Sequence, residues 1–367
     1  MINRLEIRHF KSIKNLELDC KRVNVFIGEP NTGKSNILEA LGLLSWSAHR
    51  RGKTGKKETE ISYYQYSVQD LDLEYEDASG NRYPGQSRIS ELHEFIRYKR
   101  LDDIFFQADT TEPIQISIED TGKVTLNLAI THGKGKITVE SDPQTKKTAS
   151  RITLDNYGHG IGLARQCSEF DFIKYYHFKN IVTFPDQMAD FLLPPTGRNL
   201  FSVIVNNKKI RDDVKDLFNE VPFEFVLDTA EHQINFQKKK DNITYSFPYI
   251  IASDTLRHIA FYLVALESNQ RSTLVFEEPE AHAFPYYVKW LGERIALYSA
   301  DNQFFIVTHN PYLISALMEK TTTEDLNVVV TYMKDNQTQT YSLTDDEIRD
   351  IMGFDPFFNI TSFIPEG

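Results

Sequence analysis

The chain has 367 residues, 41% of them apolar and 25% charged, with 17 glycines and 14 prolines. That is ordinary globular composition at a length suited to one large or two medium domains, and it excludes a fibrous, collagenous or mostly disordered protein. Its 41 basic and 52 acidic residues give a net charge of −11, which argues against a surface that grips nucleic acid as a whole and confines any DNA contact to a local patch or a partner.

Met1 to Phe10 alternates charged and apolar residues, unlike a secretory signal or a transit peptide. From Arg4 to Leu18 the pattern reads as strand, turn, strand. Arg22 to Ile27 is a β-branched and aromatic run that stops at Gly28, and Asn36 to Ser45 carries helical apolar spacing at Ile37, Leu38, Leu41 and Leu44. Residues 50–57 are basic and glycine-containing, a break after this first unit. Beyond it Pro113–Ile118 and Lys123–Ile130 read as strands and Arg211–Asn219 as a helix, with no sustained heptad repeat. From Thr255 the order becomes buried helix (Thr255–Leu266), buried strand (Arg271–Phe276), helix (Tyr286–Tyr298) and buried strand (Gln303–Val307). Such alternation predicts parallel pairing in an α/β sheet. A hairpin around Lys334-Asp335-Asn336 and a helix from Asp345 to Met352 capped by Thr344 complete the chain. The longest clean apolar run, Ile259–Leu266, is far below the roughly 18 residues that suggest a membrane span, so no membrane partner is expected. Two cysteines, Cys20 and Cys167, make neither a disulfide framework nor a CxxC metal site, and a reducing cytoplasm is the expected address.

Gly28-Glu29-Pro30-Asn31-Thr32-Gly33-Lys34-Ser35 satisfies G-x-x-x-x-G-K-[ST] between a strand and a helix. Glycines let the loop turn its N–H groups and the helix N-terminus toward phosphates, Lys34 is placed for the β- and γ-phosphates, and Ser35 for magnesium. ATP and Mg²⁺ are therefore the expected cofactors. A second carboxylate source is needed at the end of a neighbouring buried strand, and Thr273 to Glu280 supplies it: Glu277 to hold the metal through water, Glu278 to orient or deprotonate the attacking water. Glu280 reads as an acidic residue in the first turn of the next helix. His309, after the strand Phe304–Val307, suits a γ-phosphate sensor and equally an ordinary His-Asn-Pro turn.

Together these blocks resemble the ABC-type ATPases of the OLD, SMC and RecF group, most closely the OLD-like AAA ATPases. Phe10-Lys11-Ser12-Ile13 with Asn24 to Leu41 looks like the group's N-terminal block, Phe276 to His282 like its Walker B and D-loop, and Thr308-His309-Asn310 like its switch. The resemblance implies an α/β P-loop NTPase of ABC type with an N-terminal β-rich subdomain and an α+β insertion, divided as residues 1–56, 57–245 and 246–367. It implies that Lys11 and Asn36 approach the phosphates, that His282 lies at a dimer seam, and that ATP is sandwiched in a head-to-tail dimer. Two departures stand out: Glu277 occupies the usual Asp place, compatible with slow hydrolysis, and the signature segment Ala252–Arg257 has no glycine. Ser253 fits a donor to the opposite subunit's γ-phosphate or a plain helix N-cap. Gln107 after Ile104-Phe105-Phe106 fits a Q-loop or a strand end.

OLD nucleases carry a TOPRIM domain after the ATPase, whereas the segment after His309 is short and shows no obvious set of metal-binding carboxylates. The expectation is an ATPase or sensor subunit working with a separately encoded nuclease or toxin in anti-phage defence, against alternatives of a RecF-like DNA-repair ATPase or an ATP-gated scaffold. Other features are blander. Asp70, Asp72, Glu74 and Glu76 read as the solvated face of an edge strand. Arg50, Arg51, Lys53, Lys56 and Lys57 read as a solvated loop or a local DNA contact. Lys238–Lys240 suits a charged hairpin tip, and His132 and His159 suit turns.

Overall fold

A computed structural model describes residues 1–49, 75–76, 82–83, 91–120, 125–133, 136–141, 151–158, 167–188, 190–219, 223–353 and 360–364. The basic segment 50–57, Asp70, Asp72, Glu74, Lys123 and His159 lie outside the described residues.

Strands β1 (Ile2–Phe10) and β2 (Ile13–Asp19) form the expected antiparallel ribbon, with Phe10 opposite Ile13. They are followed by β3 (Val23–Gly28) and helix α1 (Lys34–His49). Two short strands, β4 (Tyr75–Glu76) and β5 (Arg82–Tyr83), pair with each other. Next come β6 (Ile114–Asp120), β7 (Thr125–Gly133), β8 (Lys136–Ser141) and β9 (Arg151–Leu154), which complete an antiparallel sheet in the order β2-β1-β6-β7-β8-β9. Strand β10 (Ile173–Tyr176) precedes α2 (Leu200–Asn206) and α3 (Lys208–Leu217), and β11 (Glu224–Asp228), β12 (Gln233–Lys240) and β13 (Ile243–Pro248) make a small antiparallel sheet. The remainder is α4 (Asp254–Glu267), β14 (Thr273–Glu277), α5 (Pro285–Tyr298), β15 (Gln303–Val307), α6 (Pro311–Lys320), β16 (Leu326–Lys334), β17 (Gln337–Ser342) and α7 (Asp345–Gly353).

The central sheet runs β10-β14-β15-β3-β16-β17, parallel except for β17. Side chains alternate between its faces: Val25, Ile27, Phe276 and Ile306 join the core that holds α4, α5 and α6, whereas Phe26, Val275, Phe305 and Val307 join the core under α1 and the antiparallel sheet. Burial on both faces explains why these strands read as continuous apolar runs. Each fully buried side chain of this size contributes about 1.5–3 kcal/mol, and Phe26 stacks on Phe305 with centroids 6.3 Å apart. Buried Gln303 ties the two sheets together by accepting from the N–H of Ile2 (2.8 Å) and donating to its carbonyl (2.7 Å).

Two strand pairings run across the boundaries expected at residues 56 and 245. Strands β6 to β9 extend the N-terminal ribbon, because β6 pairs along the free edge of β1, and β10 joins the central sheet beside β14. Hydrogen bonding across an open strand edge, invisible to local pattern, overrides the chain order. Ile104 and Phe106 lie in two short 3₁₀ turns on either side of Phe105, which makes only an isolated β-bridge to Phe10, so this segment is not a strand. The charged tip after Lys238–Lys240 is a hairpin through Asp241 (φ 51°) and Asn242 (φ 60°), the left-handed pair that such two-residue turns favour. No helix among the described residues is long and apolar enough to cross a membrane.

Candidate functional site

The loop from Gly28 to Ser35 leaves the C-terminal end of β3 and enters α1, the end of a parallel sheet where ligands collect in such folds. Its glycines are required by space as well as conformation. Gly28 has φ 152° and a Cβ there would meet the Thr331 carbonyl oxygen at 2.3 Å; Gly33 has φ 92° and its Cβ would meet Thr338 Oγ1 at 2.0 Å. Asn31, at φ 63°, supplies a further left-handed position. Thr32 Oγ1 donates to the Glu29 carbonyl (2.9 Å), and Asn36 Nδ2 donates to Ser12 Oγ (2.7 Å), fastening the loop to the first hairpin. Glu29, Pro30 and Asn31 are exposed at the loop's crest, while Ser35 is half-buried at the start of α1. The first N–H groups of a helix have no partner within it, so this cradle fits a phosphate chain.

Lys34 is only 5% exposed and its Nζ donates to the carbonyls of Gly28 (2.9 Å) and Glu29 (2.6 Å). Burial pushes its pKa down to about 8, with the charges of Glu278 and Glu29 pulling the other way. Glu278 follows β14 at φ 44°, its N–H held by the Val307 carbonyl of the adjacent strand (2.9 Å). His309, just past β15, places Nε2 3.8 Å from Glu278 Oε1. Burial and then the charge of Lys34 lower the His309 pKa, against the pull of Glu278. Three side chains far apart in sequence thus converge at the ends of β3, β14 and β15.

The Glu277 carboxylate faces the other side of β14. Its Oε1 accepts from Arg97 Nη2 (3.2 Å) and its Oε2 from the hydroxyl of Tyr175 (2.9 Å). Arg97 Nε also donates to Glu39 Oε1 (2.6 Å), and Lys11 Nζ binds Glu39 Oε2 and the Arg97 carbonyl (2.6 Å). Glu39 is 1% exposed, a buried carboxylate paired with two cations, as burial requires. Burial lowers the Lys11 pKa, and Glu39 partly restores it. Lys11 thus touches Glu39, not the glycine loop. A cleft of about 530 Å³ opens here, lined by Arg97, His177, His282 and both Glu277 and Glu278 among others. No group of three or more His, Cys, Asp or Glu suited to hold a metal occurs among the described residues; a magnesium ion at Ser35 and Glu277 fits only with phosphate oxygens and water as its other ligands.

The remaining expected residues fall as follows. Ser253 caps α4, its side chain accepting from the N–H of Leu256 (3.3 Å), and is exposed. The next turn touches the D-loop position, since Thr255 Oγ1 donates to the His282 carbonyl (2.7 Å). Gln107 is exposed at φ 52° and does not line the cleft; the residue that leaves β10 beside Glu277 is His177. Glu280 is not in a helical first turn, because α5 begins only at Pro285. It is buried instead, with Oε1 accepting from Thr308 Oγ1 and the N–H of His309. Sequence reasoning missed Arg97, Tyr175 and His177, which carry no local signal; Glu39, a carboxylate inside an apolar helical stripe, did carry one.

A parallel sheet with a glycine loop at one strand end and paired glutamates at its neighbour defines an ABC-type P-loop ATPase fold. Residues 23–315 match the family described as "AAA domain, putative AbiEii toxin, Type IV TA system", and the chain belongs to it. It is also similar to the DNA replication and repair protein RecF of Streptococcus suis strains 05ZYH33 and 98HAH33, 34% identical over 71 residues, 19% of this chain and 20% of either RecF. The match thus spans about a fifth of the length of those relatives. Among solved structures the crystal structure of the SmcHead bound to the C-winged helix domain of ScpA covers 95% of this chain and 99% of its own, with 14% identity and a TM-score of 0.50. The protein is thus an AAA-family domain with the fold of an SMC head and a local sequence similarity to RecF.

Proposed function

We propose that the protein binds ATP with magnesium at Gly28–Ser35 and hydrolyses it, using the nucleotide to switch a head-to-tail dimer. Convergence of Lys34, Glu278 and His309 on one sheet edge carries this reading. Lys34 exchanges its loop carbonyls for the β- and γ-phosphates; Asn36 steadies the loop through Ser12; Ser35 and Glu277 hold the metal, which neutralises charge developing on the phosphates. Glu278 orients or deprotonates water, and His309 contacts the γ-phosphate. Ser253 serves the nucleotide of the opposite subunit in this reading, and Gln107 and Lys11 reach it only if their segments move.

Within the family, the reading favours an OLD-like ATPase that regulates a separately encoded nuclease or toxin in cytoplasmic anti-phage defence, consistent with the toxin–antitoxin description of the family. The RecF similarity favours a second reading, a DNA-repair ATPase; ATP turnover stimulated severalfold by DNA distinguishes it. The test of the site itself is Lys34→Ala, which is expected to weaken nucleotide binding by about a hundredfold or more, given the strength of charge-assisted phosphate contacts. Unchanged affinity for a fluorescent ATP analogue removes the assignment.

A further inference from the structure

Glu280 is 5% exposed, lies two residues past Glu278, and faces inward where Glu278 faces the site. Its Oε1 accepts from Thr308 Oγ1 and from the N–H of His309 (3.4 Å), whereas its Oε2 is buried with no hydrogen-bond partner. The network continues beyond Thr308. Thr308 is fully buried, and its Oγ1 accepts from the N–H of Asn310 (2.9 Å); Asn310 Oδ1 in turn accepts from the N–H of Tyr312 (2.9 Å) at the start of α6. Backbone on both sides of His309 is therefore held by one chain of bonds that begins at Glu280. The His309 side chain is 41% exposed, so its aim at Glu278 depends on that backbone more than on packing around the ring. A buried carboxylate with one unsatisfied oxygen is costly to the fold. Stability alone does not account for it.

Resting on the ATPase reading above, we propose that Glu280 is a positioning residue: it grips the end of β15 through Thr308 and His309 and so keeps the His309 imidazole in register with the Glu278 carboxylate during turnover. The loop after β14 then carries two glutamates with divided tasks, one toward the reacting water and one toward the strand that presents the sensor.

Two pairs of variants test this: Glu280→Ala with Glu280→Gln, and Thr308→Val with Thr308→Ser, each measured for ATP affinity, kcat, KM and melting temperature. Misplacement of a reacting group by about 1 Å can cost on the order of a hundredfold, so Glu280→Ala and Thr308→Val are expected to lose ten- to a hundredfold in kcat while KM and ATP affinity stay within about twofold. Glu280→Gln and Thr308→Ser retain an acceptor or a hydroxyl and recover most of that loss. The double variant Glu280→Ala/Thr308→Val is expected to be no slower than the slower single, because both break one unit. Wild-type kcat in Glu280→Ala overturns the proposal, as does a loss shared equally by kcat and affinity or an additive double variant. Should Glu280→Ala fail to fold, Thr308→Val against Thr308→Ser decides, since valine keeps the shape of threonine without its donor. Wild-type protein that turns over no ATP would instead overturn the ATPase reading itself.

Discussion

Two carboxylates in this site are held in opposite ways, and each yields a measurable consequence. Burial, reinforced by the charge of Glu278, raises the Glu280 pKa from its ordinary 4.5 to about 7, against the hydrogen bonds from Thr308 and His309. Because the folded value is the higher one, its contribution to stability is complete below about pH 4.5 and is lost as pH rises to about 7, a change on the order of 3 kcal/mol. Glu280→Gln removes that dependence. Urea unfolding should show the stability of this variant relative to wild type improving between pH 5 and 8; Glu278 and His309, the titratable neighbours, are present in both proteins, so the difference reports Glu280 together with its coupling to them. A constant difference across that range would show that Glu280 is not buried as ionisable carboxyl. Glu277 is the reverse case, half-buried but with both oxygens occupied by Arg97 and Tyr175. On the proposed reading, magnesium at Glu277 competes with the Arg97 guanidinium, which is 66% exposed, so that the ion pair is worth only about 0.2–1 kcal/mol. Arg97→Ala is therefore expected to lower the magnesium concentration needed for tight ATP binding by up to about fivefold. An unchanged requirement in a magnesium titration would separate Glu277 from the metal.

Among elements, the glycine loop is shaped by strands that follow it by about three hundred residues. Thr331 of β16 and Thr338 of β17 crowd Gly28 and Gly33, and Thr338 Oγ1 meets Ser12 Oγ at 2.6 Å. Gly33→Ala must fit a methyl group 2.0 Å from Thr338 Oγ1 at φ 92°. We expect it to cost about 2–4 kcal/mol and lower the melting temperature, whereas Gly133→Ala, which meets nothing within 4 Å, should change it little. Equal melting temperatures would contradict this packing. The loop was legible in the sequence because its spacing and flanks are local. So were the paired glutamates and the histidine, each at the end of an apolar run long enough to be a buried strand. Arg97, Tyr175 and the inward role of Glu280 were not legible, since each is defined by a partner between about 30 and 180 residues away.

At the scale of the whole molecule, the start of α4 and the D-loop position meet at one edge, through Thr255 and the His282 carbonyl, with Ser253 exposed beside them. If that edge receives the second subunit's nucleotide, Ser253→Arg should leave ATP binding by a single subunit within about twofold and abolish ATP-dependent dimerisation by placing bulk and charge in a close-packed interface. Light scattering with and without ATP measures this; normal dimerisation would move the interface elsewhere. By itself the sequence determined the identity of the glycine loop, the strand-helix alternation that makes a parallel sheet, and the carboxylates expected beside it, because each is written in spacing over a few residues. Tertiary structure alone decided that strands β6 to β9 extend the N-terminal ribbon, that β10 lines the central sheet, and that Arg97, Glu39 and Glu280 surround the site. The reason is physical: open strand edges and buried charges are satisfied by whatever partner the fold brings near, and chain distance does not encode which one that is.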